Sequence, residues 1–230
     1  MTPSVDGQIH TFEEHGLYDG LFLMRDDETG TYWDHMTGEA VYGPLTGSRL
    51  EVSNLRQSNP VQILGDAPEA RVALSDRILW EDEQLGLTGL LASMGGRLSN
   101  MFSSTVEAED DRRPTMDLGL GLWEGEVSRY YPYNVVLNAE RAVLDTFQGR
   151  QVLVYLDPST NALAAYYVDV TELDWDDDVL RLSDGSYIEG GVFYDASGER
   201  GAPGRPLQVF TRWYGFSLTF VGTEIYGEDR

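Results

Sequence analysis

The sequence predicts a β-rich α+β fold built from antiparallel hairpins in a mainly β single domain, with one or two helices near residues 83–101. Two observations carry that expectation. Short runs alternate apolar and polar residues with a period of two, the mark of half-buried strands. Turn residues interrupt those runs about every 8–12 positions, as hairpins require. A chain of 230 residues can bury a core without staples. It reads as one domain over 1–230, with a polar, acidic seam or long loop at 103–114.

The first half supplies the first hairpins. Leu17–Met24 reads as a strand, Asp26-Asp27-Glu28-Thr29-Gly30 as its turn, and Thr31–Met36 as the returning strand. Thr37-Gly38 turns again into Glu39–Tyr42, and Arg49–Ser53 makes a fourth strand. A short helix is expected around Ala67–Glu69 and a strand at Arg71–Leu74. Between Glu83 and Met101, Leu85, Leu87, Leu90, Leu91, Met94 and Leu98 fall near helical spacing. Gly86, Gly89, Gly95 and Gly96 oppose that helix, each costing about 1 kcal/mol against alanine.

Beyond the seam the strand pattern returns. Leu122–Tyr131, Gln151–Leu156, Ala162–Val170, Leu180–Leu182 and Tyr187–Tyr194 read as strands, with Asp157-Pro158-Ser159-Thr160-Asn161 closing a hairpin. Gln208–Phe220 suits a final strand or a buried helix, and periodicity leaves both open. One weak repeat is visible: a strand runs into Asp, two residues, then Thr, Ser or Gly, around Asp26, Asp157 and Asp195. Turn chemistry alone can explain it.

Charge is the anomaly of the composition. Sixteen basic residues, all arginine, face 39 carboxylates, giving a net charge of −23. Self-repulsion of that size destabilises a compact chain in dilute buffer, and molar salt screens it. Adaptation to high salt is the expectation. Nucleic acid is excluded as a partner, because its phosphates call for a basic patch, and so are anionic membrane surfaces. Membrane spans need roughly 18–20 apolar residues in a row, and the sequence has no such run. With no signal-peptide pattern at Met1–Asp6, a cytoplasmic address is expected. The absence of cysteine excludes disulfides and thiol nucleophiles.

Several motifs fail on inspection. Gly119-Leu120-Gly121-Leu122-Trp123-Glu124-Gly125 resembles a dinucleotide fingerprint, but its third glycine is one place late and a strand follows. Asp174–Asp178 starts like a calcium loop, yet Val179 stands where glycine is needed. No Gly-x-Ser-x-Gly run exposes a serine. Three histidines remain, all within 26 residues, beside Asp26, Asp34 and Glu39. Two imidazoles and a carboxylate (His15, His35 and Asp26) would suit a divalent metal with an open position, and ordinary hydrogen-bonding histidines fit the same pattern. No other cofactor is expected. Aromatic clusters at Trp123–Tyr133, Tyr166-Tyr167 and Trp213–Phe220 are mostly core material, and the part around Arg212-Trp213-Tyr214 could line a pocket for an apolar or sugar-like ligand.

Met24-Arg25-Asp26-Asp27-Glu28-Thr29-Gly30-Thr31-Tyr32-Trp33, continued by Thr37-Gly38-Glu39-Ala40 and Gly43-Pro44-Leu45-Thr46-Gly47, resembles the Asp-Arg block of the domain of unknown function 3179 family. Tyr131-Pro132 with the hairpin after it, and Phe210–Phe216, are similar to that family's Tyr-Pro strand and closing aromatic block. Where family members tend to carry His-Glu and then Cys-Pro-x-Cys, this chain has Ala139-Glu140 and Asp157-Pro158-Ser159-Thr160. A metal or redox role at those positions is thereby left without its ligands. The resemblance implies a topology and no mechanism, since the family has no established activity.

Two function classes follow. The first is a non-catalytic binding or structural module for a small molecule or protein, with Asp26, Thr29, Trp33, Glu39, Arg212 and Trp213 as candidate ligand-binding residues. The second is a metal-dependent enzyme using His15, His35 and Asp26.

Overall fold

The computed structural model describes residues 3–18, 21–54, 57–71 and 109–228. A short pair, β1 (Ser4–Val5) and β2 (Gln8–Ile9), precedes a four-stranded meander of β3 (Phe12–Tyr18), β4 (Leu21–Asp26), β5 (Tyr32–Asp34) and β6 (Ala40–Tyr42). Helix α1 (Pro60–Asp66) follows. Next come β7 (Leu118–Glu124), β8 (Val127–Pro132), α2 (Tyr133–Asn138), β9 (Ala142–Phe147), β10 (Arg150–Asp157) and β11 (Ala162–Tyr167). The chain continues through β12 (Leu173–Asp176), β13 (Val179–Leu182), β14 (Tyr187–Glu189) and β15 (Val192–Tyr194). It closes with β16 (Leu207–Arg212), α3 (Trp213–Thr219) and β17 (Glu224–Ile225).

The larger sheets run β3-β4-β5-β6, β16-β7-β8-β17, β11-β10-β9 and β12-β13-β14-β15. Strand pairings are antiparallel, as expected, except that β17 joins β8 in parallel. Strand β10 shows how the layers stack. Val152, Val154 and Leu156 bury one face with Leu120, Leu122 and Tyr131. Leu153 and Tyr155 bury the other with Leu180, Leu182 and Ile188. A strand covered on both sides must be apolar at every position, which accounts for the unbroken Val152–Leu156 run. On the far face of β7 and β8, Trp123, Tyr130, Trp213, Phe216 and Ile225 form a third cluster that reaches Met36 of the first meander. That meander keeps a small core of its own: Val5, Trp33, Ala40 and Leu50.

Three expected strands are each two. Leu17–Met24 breaks where Tyr18 pairs with Leu21, Leu122–Tyr131 where Glu124 pairs with Val127, and Tyr187–Tyr194 where Glu189 pairs with Val192. The connecting dipeptides Asp19-Gly20, Gly125-Glu126 and Gly190-Gly191 are ones that two-residue hairpin turns favour, so these breaks are legible in the sequence although the apolar runs around them look continuous. Arg49–Ser53 contributes a bridge from Arg49 to Glu39 rather than a strand. The short helix lies earlier than Ala67–Glu69 because its start signal does: Asn59 accepts from the Gln62 amide, the Gln62 side chain accepts from the Asn59 amide, and Pro60 opens the first turn. Gln208–Phe220 turns out to be both alternatives, β16 and then α3. The helix expected over Glu83–Met101 lies outside the described residues. So do residues 72–74 of the expected Arg71–Leu74 strand and residues 103–108 of the seam.

The glycine-rich run of β7 has a packing explanation. A Cβ on Gly121 would overlap the Phe216 ring, and one on Gly119 would overlap Tyr130 and the Tyr131 carbonyl. These glycines let aromatic rings lie against the strand, and no phosphate loop forms.

Candidate functional site

Asp26 ends β4 and anchors the turn into β5. Its Oδ1 accepts from the Thr29 amide at 2.6 Å and its Oδ2 from Trp33 Nε1 at 2.8 Å. The Thr29 hydroxyl lies 2.8 and 2.9 Å from the two oxygens. The Gly30 amide donates to the Asp26 carbonyl at 3.0 Å, with Gly30 at φ +71°, a conformation that glycine adopts without strain. The carboxylate is fully buried. Burial works to raise its pKa, but the donors from Trp33 and Thr29 outweigh it and hold the group at about 2. So weak a base does not abstract protons near neutrality. Asp26 is an acceptor that fixes the hairpin.

Register brings a third group to this turn. Phe12 pairs with Asp26, and the Asp27 amide donates to the Thr11 carbonyl at 2.9 Å, so the residues just before β3 run beside the turn. His10 thereby faces Glu28. Its Nδ1 lies 3.5 Å from Asp26 Oδ1 and 3.7 Å from Glu28 Oε2. Glu28 is oriented by the Thr11 amide, 3.1 and 2.9 Å from its two oxygens, and that amide foremost holds it below the usual carboxylate range. His10 is only 5% exposed, and its Nδ1 has no hydrogen-bond partner. One ligand atom from each of His10, Asp26 and Glu28 lies within 4.8 Å of the others.

The expected metal trio does not assemble in this form. His15 sits at the β3 irregularity between Glu14 and Leu17, which re-aims its ring toward Tyr32, 5.3 Å between centroids, with Nδ1 3.6 Å from Glu13. His35 stacks on Phe22 at 4.0 Å, and its Nδ1 is 3.0 Å from the Phe22 carbonyl. Among the described residues, the group with metal-ligand spacing is His10, Asp26 and Glu28. Asp26 belongs to both sets; His10 replaces the other two imidazoles.

The candidate ligand-binding residues fall in three places. Asp26, Thr29 and Trp33 share the first hairpin, with Trp33 fully buried. Arg212 and Trp213 lie at the β16–α3 junction, where Arg212 Nη1 donates to the Met116 carbonyl at 2.7 Å and Trp213 Nε1 to the Asp110 carbonyl at 2.8 Å. Trp213 is fully buried, edge-on to Tyr130 at 5.0 Å. Each side chain thus ties the β16–α3 junction to the segment before β7. Glu39 lines a cleft of about 430 Å³ between the β5–β6 turn and the β7–β8 hairpin, together with Arg49, Trp123, Ser128, Thr219 and Phe220. Trp123 and Phe220 pack with centroids 5.2 Å apart, and Arg49 Nη2 donates to Glu39 at 3.1 Å. Trp123 and Phe220, and not Trp213, are the aromatic residues that line this cleft. Sequence reasoning missed His10 as a partner of Asp26, and Glu28 with it; the β3–β4 register is the signal that finds both.

Fold and site define a β-sheet protein organised around buried aspartate hairpins. The chain belongs to the family described as Protein of unknown function (DUF3179), whose model matches residues 2–201. No curated protein matches the chain, and no solved structure does. Among the described residues, no helix is long and apolar enough to cross a membrane.

Proposed function

We propose that the chain is a non-catalytic binding module for a small, neutral polyhydroxylated ligand held in the cleft beside Glu39. The supporting observation is the composition of that cleft at about 430 Å³, within the roughly 300–1,000 Å³ of ordinary ligand sites. Trp123 and Phe220 give an apolar wall, while the Ser128 hydroxyl and the Glu39–Arg49 pair offer donors and acceptors and the Thr219 hydroxyl, which donates to the Gly215 carbonyl, offers an acceptor. Aromatic carbon against sugar-ring C–H groups, with charged acceptors for hydroxyls, is what a polyol needs. Glu39 and Glu126 against Arg49 leave the cleft a formal net charge of −1, which favours a neutral ligand over an anion. Asp26 supports the non-catalytic reading, because donors from Thr29 and Trp33 hold it as a weak base that fixes the hairpin.

Calorimetric titration with a panel of hexoses and disaccharides in 2 M salt tests this. Binding by at least one sugar is expected, weakened about 10–100-fold in Glu39→Gln, the equivalent of losing one hydrogen bond to a charged group. No binding heat from any sugar, or an affinity unchanged in Glu39→Gln, overturns the reading.

A further inference from the structure

Among the described residues, two buried side-chain nitrogens lack a hydrogen-bond partner: Trp175 Nε1 and His10 Nδ1. An indole nitrogen can only donate, whereas an imidazole nitrogen can present a lone pair. We propose that His10 Nδ1, Asp26 Oδ1 and the Glu28 carboxylate bind one divalent transition-metal ion, with zinc as the preferred occupant. This site is separate from the cleft beside Glu39 and does not depend on it.

Geometry supports the assignment. Two ligands at about 2.1 Å from zinc, spread tetrahedrally, lie about 3.4 Å apart. The imidazole-to-carboxylate separations here are 3.5 and 3.7 Å, too long for good hydrogen bonds and close to the edge of a coordination tetrahedron. The donor set points the same way. An imidazole with two carboxylates suits zinc or a neighbouring transition ion, whereas calcium and magnesium take oxygen ligands. Charge balances too: two carboxylates and a neutral imidazole carry −2.

The ligands are also held in advance. Thr29 and Trp33 orient Asp26, and the Thr11 amide orients Glu28. Such outer hydrogen bonds fix ligating carboxylates in metal sites. The Thr29 amide takes one lone pair of Asp26 Oδ1, and the Thr29 hydroxyl, 2.8 and 2.9 Å from Oδ1 and Oδ2, leaves the other to the ion when it donates to Oδ2. The Glu28 side chain is 27% exposed, which gives the ion an entry path. The competing arrangement is a protonated His10 lodged between two carboxylates with no metal.

Calorimetry separates the two. The full chain is stripped with chelator, returned to 2 M salt to suppress loose binding by surface carboxylates, and titrated with zinc chloride. One tight equivalent is expected, weakened at least 100-fold in both His10→Gln and Glu28→Gln, with a zinc-dependent rise in melting temperature lost in each variant. Far-UV circular dichroism checks that the variants fold; if His10→Gln does not, Glu28→Gln decides. Absence of a tight equivalent, or tight binding that survives Glu28→Gln, overturns the proposal. An imidazole NMR signal showing His10 Nδ1 protonated and unmoved by zinc overturns it as well.

Discussion

The Asp26 and Asp157 hairpins are built alike and finished differently. Each buries an aspartate at the end of a strand, and each places a left-handed residue four positions on, Gly30 at φ +71° and Asn161 at φ +54°. In each, that residue's amide closes onto the aspartate carbonyl. Asp157 Oδ1 accepts from the Ser159 amide and hydroxyl, and Oδ2 accepts from Gln62 Nε2 at 3.0 Å. The outside partner is thus a neutral amide from α1, and the arrangement is closed. At Asp26 the outside partner is His10, whose nearest nitrogen makes no hydrogen bond. A buried turn aspartate is therefore evidence of a hairpin, while the unpartnered imidazole beside it is evidence of a ligand.

The largest expected effect comes from removing each carboxylate. Asp26→Ala leaves Trp33 Nε1 and the Thr29 amide without their acceptor, at about 1–3 kcal/mol for each stranded donor, so a loss of about 3–5 kcal/mol is expected. Asp157→Ala should cost about 2 kcal/mol, because Gln62 also donates to Ser159 and to the Gly190 carbonyl. Urea unfolding in 2 M salt measures both, and a larger loss at Asp157 would invert the ranking.

Salt acts on the chain as a whole rather than on either hairpin. If the charge of −23 reflects adaptation to high salt, screening should raise the melting temperature by about 5–10 °C between 0.1 and 2 M, equivalent to a few kcal/mol. A flat curve would leave the excess of carboxylates without that explanation.

Acid distinguishes Asp26. Its folded pKa of about 2 lies below the ordinary 3.8, so its stabilisation, about 2 kcal/mol, is fully present above pH 4 and is lost as pH falls toward 2. Subtracting the acid unfolding curve of Asp26→Asn from that of the parent should reveal this window, and parallel curves would count against it. The smallest effect is expected from Gln62→Ala, about 1–2 kcal/mol, with zinc affinity unchanged.

Much of this fold is legible in sequence because hairpins are local. Asp-x-x-Thr-Gly at residue 26, Asp-x-Ser-Thr-Asn at residue 157 and the alternating runs place most strands without reference to anything distant. Pairing across the chain is not local. His10 meets Glu28 only through the β3–β4 register, and reading Leu17–Met24 as one strand hides the hairpin that sets it. Trp213 looks like a pocket residue by composition, yet Tyr130 and the Asp110 carbonyl, far away in sequence, bury it. Trp123 and Phe220 become a cleft wall only once β7 and α3 pack together.

The difference between the two hairpins is tested most directly by an anomalous difference map at the zinc edge, from crystals grown with one equivalent of zinc. A single strong peak should lie about 2.1 Å from His10 Nδ1 and within bonding distance of Asp26 and Glu28, with none beside Asp157 and Gln62. A map without a peak at His10, or with one of equal height at Asp157, would contradict the metal assignment and leave both aspartates as turn residues only.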